Sequence, residues 1–229
     1  VSLATRDLLD FNRCHAQARD AVRVRLEGAA LKAALGALTG GEVLRLHSAA
    51  ADRAAYLQRP DLGRRLDESS RKMLAERAQA HGEQQSERVL ALIVADGLSA
   101  LAVERHAAPL IEALLPRVQD WKLAPVCVVE QGRVAIGDEI GAALGAGIAV
   151  ILLGERPGLS SPDSLGAYIT WQPRPGRTDA ERNCISNIRA EGLSYAQAAA
   201  QLEGILREAR RLRLTGVALK EQSRWLERG

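Results

Sequence analysis

Residues Ile148 to Leu153 form six apolar positions in a row. Gly154, Glu155, Arg156, Pro157 and Gly158 follow at once. A short apolar run closed by turn residues reads as a strand buried on both faces of a sheet. The charged turn then sits where the strand leaves its sheet. Open α/β sheets bind ligands in the crevice outside those carboxyl ends. An exposed turn with a local ion pair is the alternative, because loops usually carry such residues.

Two further stretches have the same character. Val89 to Val94 is apolar and precedes Asp96-Gly97-Leu98-Ser99. Gly97 suits the tight turn, and Ser99 suits the cap of a helix running to about Leu115. Ala124 to Val129 predicts the next strand. A strand, helix, strand order implies parallel pairing with a right-handed crossover. The segment 131–147 is glycine-rich, with a short helix expected over Asp138 to Leu144. It matches neither a dinucleotide fingerprint nor a Walker loop. A fourth strand is expected over Ala167 to Trp171, then a helix over Asp179 to Ile188. Ser194 is placed to cap a long last helix, Tyr195 to Leu214. The fold class expected is α/β, a mostly parallel Rossmann-like sheet flanked by helices.

The amino-terminal part differs. Asp7 to Val22 and Glu27 to Leu38 repeat apolar residues near the helical period, and Gly40-Gly41 ends the second. Val43 to Leu46 suggests a short strand. His47 has no partner at metal or catalytic spacing. Tyr56 to Leu66 carries Arg59, Arg64 and Arg65 around Pro60, Asp61 and Gly63. Such arginines can clamp phosphate or carboxylate, or bond to neighbouring acids in an ordinary interface. Asp67 to Ala80 reads as a helix. A polar stretch at Glu83 to Glu87 divides the chain into a mainly helical region, 1–82, and an α/β region, 83–229.

Charge narrows the partners. A net charge of +3 with acids and bases interleaved speaks for solvated helix faces and against a nucleic-acid footprint. The three cysteines, Cys14, Cys127 and Cys184, are far apart, as expected of reduced thiols in a cytosolic setting. No apolar run has membrane-spanning length and no signal peptide is evident, so a soluble intracellular protein is expected.

If the sheet is parallel, four loops gather on one rim: 96–99, 130–138, 154–161 and 172–184. Val134, Glu155, Arg156 and Cys184 would share a crevice. A nucleophilic role for Cys184 lacks a base, since no histidine follows Ala107. These residues say ligand site without naming the ligand. A stand-alone α/β enzyme or binding protein for a phosphorylated or nucleotide ligand, using the arginine loop, is one reading.

Five blocks occur in order: YLQRPDLGRRL (56–66), VADGLSA (94–100), GRVAIGDEIG (132–141), VILLGERPGL (150–159) and NCISNIR (183–189). Together they closely resemble the small subunit of ethanolamine ammonia-lyase, over essentially the whole chain. The resemblance implies an adenosylcobalamin-dependent lyase converting ethanolamine to acetaldehyde and ammonia. It implies a large-subunit partner, a (β/α)8 barrel with the substrate and the catalytic residues, in an assembly of several such pairs. Cobalamin would lie between the chains, with Val134, Glu155 and Cys184 as contacts and no catalytic residue or metal ligand on this chain. Absence of D-x-H-x-x-G is compatible, because the family keeps the cofactor's own base on cobalt. The implied location is the cytoplasm, free or inside a bacterial microcompartment.

Overall fold

The computed structural model describes residues 9, 11–13, 15–16, 22–81, 86–158 and 163–220. Residues 9, 11–13 and 15–16 are helical. Val22, the expected end of the first helix, lies in a turn, and the rest of that helix, Cys14 and the basic carboxyl-terminal segment lie outside the described residues. The elements are α1 (Gly28–Thr39), β1 (Val43–His47), α2 (Arg53–Gln58), α3 (Glu68–His81), β2 (Ser86–Ala95), α4 (Ala100–Leu114), β3 (Lys122–Leu123), β4 (Val126–Glu130), α5 (Ile136–Ala143), β5 (Ala146–Gly154), β6 (Leu165–Trp171), β7 (Arg182–Ile188) and α6 (Tyr195–Leu212). Single 3-10 turns lie at Leu62–Arg64, Leu115–Arg117 and Asp179–Glu181.

All the strands belong to one sheet of order β1-β4-β2-β5-β6-β7, with β3 beside β2. The central runs behave as their composition demands. Every residue of β5 is buried, as is β2 from Val89 onward. Helices cover both faces. On one face α1, α4 and α6 bury Leu35, Leu110, Ile111, Leu202 and Leu206 against Leu92, Val150 and Ile169. On the other, Leu74 of α3 and Ile136 and Ile140 of α5 pack on Ile93, Cys127, Val129 and Ile151. The caps expected from sequence form. Ser99 Oγ accepts from Ala102 N at 3.2 Å, and Ser194 makes a capping box with Gln197. No helix of the described residues is long and apolar enough to cross a membrane.

The sheet is mixed, which corrects the expectation of a mostly parallel Rossmann-like layer. Strands β1, β4, β2, β3 and β5 pair in parallel, whereas β6 is antiparallel to β5 and β7 is antiparallel to β6. The reason is length. A parallel return needs a dozen or more residues, usually with a helix. The connection from β5 to β6 is shorter and leaves no room for one. A single parallel rim therefore does not exist for all four loops.

The helix expected over Asp179 to Ile188 is a second correction. Only one 3-10 turn forms there, and Arg182–Ile188 is the edge strand β7. A bulge explains the false helical spacing. Ile188 pairs with Leu165 and Ile185 with Ala167, with a register shift between them. Asn187 sits at φ 62°. Ser186 and Asn187 are both exposed, so the buried isoleucines are three apart instead of two.

The expected short strand, β1, joins the same sheet, with Val43 opposite Val126 and His47 opposite Glu130. The amino-terminal region thus contributes a strand beside β4.

Candidate functional site

The parallel strands β2, β4 and β5 end together. The turn after β2 and the end of β5 interlock. Gly97 (φ 55°) makes the turn, and Leu98 N donates to Gly154 O at 2.9 Å. A Cβ on Gly154 would lie 2.0 Å from Ser99 O, so the two backbones meet with no room for a side chain. Glu155 and Arg156 follow at once, with the Glu155 carboxylate against Gly166 of β6.

They enter a cavity of about 1070 Å3 lined also by Tyr56, Arg64, Val134 and Tyr168. Seven arginines and four carboxylates line it. Val134 and Glu155 are thus brought together on its wall, as is Arg156. Cys184 does not line it. It is exposed on β7, directly opposite Tyr168 on β6, and so adjoins the cavity through that ring. Cys184 Sγ lies 3.2 Å from Ser186 Oγ. Burial, with the nearby Cys184 and Glu155, pushes the Tyr168 phenol up.

Strand direction changes the shape of the site. The carboxyl end of β6 lies at the amino end of β5, with Ile148 opposite Trp171. Even so, residues 175–179 after β6 line the cavity, and Gly141 of α5 stands against Pro173. The cleft therefore runs from the strand-end loops along the open side of α5. On the opposite face β6 and β7 pack against α4 and α6.

Two buried networks hold its walls. Arg182 of β7 reaches α5, where it bonds Asp138, and it also bonds Asp179 Oδ1 at 2.9 Å and Arg177 O at 2.9 Å. Burial pushes the Asp138 carboxyl up, and Arg182 opposes that shift. The second network lies at the other end. Arg53 Nη1 donates to Asp96 Oδ2 at 3.1 Å, and Gly132 N donates to Asp96 Oδ1 at 3.1 Å. Tyr56 Oη donates to Gly132 O at 3.0 Å, between the guanidinium groups of Arg53 and Arg133 at 4.7 and 4.5 Å from the ring centroid. The loop bearing Val134 is tied down through its neighbours.

Asp96 makes this network titratable. Burial, offset by Arg53, pushes its carboxyl up to about 6 from an ordinary 3.8. Between those values the folded chain holds a proton that the unfolded chain lacks. Its contribution to folding therefore grows as pH falls through the window and is lost as pH rises past about 6. Compared with Asp96→Asn, which cannot titrate, the parent should gain on the order of 2 kcal/mol between about pH 6.5 and 4.5. Denaturant unfolding of both proteins measures this. A pH-independent difference would refute the raised value.

Of the three arginines in the early loop, Arg64 and Arg65 line the cavity. Arg59 is not part of the lining and bonds Asp61 through Nε and Nη2 at 3.0 and 2.9 Å. Sequence reading missed Tyr168, Arg71 and Arg177. The ring in an otherwise apolar strand was the available signal for Tyr168. Arg71 on α3 has the pattern of an ordinary solvated face. Among the described residues no group of three or more histidines, cysteines or carboxylates could hold a metal ion.

Glu155 has a free acceptor. Ser164 Oγ and Asn187 N both donate to Oε2, the latter at 3.3 Å, which ties the loop to β7. Oε1 accepts no hydrogen bond among the described residues.

Fold and site together define an α/β protein with a large, arginine-rich cleft open along one sheet face. The family model described as ethanolamine ammonia-lyase light chain (EutC) matches residues 1–220. The chain is 59% identical over 223 residues to the ethanolamine ammonia-lyase small subunit of Ralstonia nicotianae, covering 96% of this chain and 81% of that one. It is 58% identical to the proteins of the same name from Pseudomonas aeruginosa PAO1 and Azotobacter vinelandii, covering 97% of this chain and 81% and 82% of theirs. The chain belongs to the ethanolamine ammonia-lyase light chain family.

Proposed function

We propose that this chain is the small subunit of an adenosylcobalamin-dependent ethanolamine ammonia-lyase, which converts ethanolamine to acetaldehyde and ammonia. It helps to hold the cofactor against a large subunit that carries the catalytic residues. Several such pairs make up the assembly, in the cytoplasm or inside a bacterial microcompartment. The observation that carries this reading is the convergence of Val134, Glu155 and, through Tyr168, Cys184 at one cleft.

The residues present fit a corrinoid. At about 1070 Å3 the cleft slightly exceeds the usual range for drug-sized ligands. Val134, Leu98 and Leu153 offer apolar contact to the ring edge. The unused Oε1 of Glu155 suits an amide N–H of the corrin periphery, and the guanidinium groups suit amide oxygens and phosphate. When bound, adenosylcobalamin supplies the radical chemistry of the reaction. This chain's part is to fix the cofactor's position and keep water from it. Glu155 serves that role from a loop tied to the edge strand, so it is held without the ligand.

Two measurements test this. Ethanolamine turnover should require this chain, a large subunit and adenosylcobalamin together. Turnover by this chain alone would overturn the division of labour. Glu155→Ala should weaken corrinoid retention by the complex about tenfold, the worth of one charge-assisted hydrogen bond, while melting close to the parent. Unchanged retention would remove Glu155 from the cofactor site.

A further inference from the structure

The cleft carries more positive charge than its own carboxylates answer. Arg71 bonds Glu139, Arg182 bonds Asp138 and Asp179, and Arg177 bonds Glu181. Arg65 lies 3.9 Å from Asp61, with both side chains half exposed. Glu155 is hydrogen-bonded by the neutral Ser164 and Asn187 and keeps its charge, one carboxylate against the three arginines that follow. Arg64, Arg133 and Arg156 line the same cavity and have no carboxylate partner among the described residues. Arg64 and Arg156 are exposed and Arg133 is half-buried, and an anion entering the cleft meets guanidinium groups that no carboxylate neutralises.

The Arg133 side chain and the backbone that carries Arg64 are held in place. Arg133 N donates to Gly63 O at 2.8 Å, which ties the 3-10 turn carrying Arg64 to the loop carrying Arg133 and Val134. Arg133 Nη2 donates to Tyr56 O at 3.2 Å, and its guanidinium stacks on the Tyr56 ring. Its Nε is buried without a hydrogen-bond partner. A Cβ on Gly63 would come within 2.9 Å of the Tyr56 ring and 3.0 Å of Gln131 O. The turn is therefore packed to contact, and the backbones bearing Arg64 and Arg133 are set relative to each other before any ligand arrives. Guanidinium forks are the usual recognition element for phosphate oxygens.

We propose that Arg64, Arg133 and Arg156 form an anion subsite that takes a phosphate group. Resting on the function proposed above, the group is the phosphodiester in the nucleotide tail of the bound corrinoid. Free inorganic phosphate offers the same chemistry from another source. The subsite lies in the cleft that holds Val134 and Glu155, so under the nucleotide assignment it reads the tail while those residues meet the ring.

The test uses the complex with the large subunit and two corrinoids. Cobalamin carries the nucleotide tail, whereas cobinamide lacks it together with its phosphodiester. The double variant Arg64→Gln, Arg156→Gln leaves the Tyr56 stack intact and should fold as the parent does. It should bind cobalamin at least about tenfold more weakly and cobinamide within about twofold. Inorganic phosphate at tens of millimolar should compete with cobalamin for the parent and much less for the variant. If phosphate stabilises the parent complex in a melt while both corrinoids bind the variant normally, the subsite serves the free anion and the nucleotide assignment falls. Equal loss of both corrinoids, or loss of neither without any phosphate effect, overturns the subsite while the cofactor-holding role stands. A parent complex that holds neither corrinoid overturns the role and the subsite together.

Discussion

Gly154→Ala should cost on the order of 3 kcal/mol of stability. In a chain of this size that is a fall in melting temperature of roughly 10 °C. The new Cβ would lie 2.0 Å from Ser99 O and 2.5 Å from Asp96 O. Both are backbone atoms, which cannot swing aside as a flexible side chain can. Relief requires the end of β5 to part from the turn after β2, breaking the bond from Leu98 N to Gly154 O. Two things then move together: Asp96, which anchors the buried Arg53 network, and Glu155, the next residue in the chain. Ligand binding at the cleft should therefore fall along with stability. Gly204→Ala is the control. It lies within α6 with nothing inside 4 Å of its Cβ, so it should be neutral or raise stability by about 0.5–1 kcal/mol. A Gly154→Ala protein melting within a degree or two of the parent would show that the two backbones separate freely.

Arg182→Met should destabilise by about 3–5 kcal/mol, the usual result of stripping one partner from a buried ion pair. Both Arg182 and Asp138 are buried. The substitution leaves the Asp138 carboxyl in a wall of the cleft with its countercharge gone, and frees the carbonyl of Arg177 and the carboxylate of Asp179. It also unties edge strand β7, and with it Cys184, from α5. The double variant Asp138→Asn, Arg182→Met should lose clearly less than the sum of the single variants, because no buried charge is left alone. Equilibrium denaturation of the four proteins measures the coupling. Strictly additive losses would mean that the pair does not bind the strand to the helix.

These two changes act on opposite ends of one cleft, and they mark what a linear chain can and cannot disclose. The apolar run of β5, the turn at Gly97 and the caps at Ser99 and Ser194 depend on neighbours a few residues away. Each was readable because periodicity and turn chemistry are local. Val134 and Glu155 were readable as loop residues after strands, and the five sequence blocks named the family. Strand polarity was less accessible, because the connection is short only once β5 is seen to reach Gly154 and β6 to begin at Leu165. The bulge in β7 misled because an extra residue gives a strand the spacing of a helix.

The sequence by itself determined the class of fold, the buried strands, the loops that carry Glu155 and Val134, and the family. Tertiary structure alone decided that β6 and β7 run as an antiparallel edge, that Tyr168 links Cys184 to the cleft, and that Arg182 meets Asp138 across 44 positions. It also decided which arginines find carboxylates and which remain unanswered. The physical reason is range. Helix, strand and turn are set by interactions among near neighbours, whereas pairing, polarity and charge compensation depend on residues that come close only once the chain has packed.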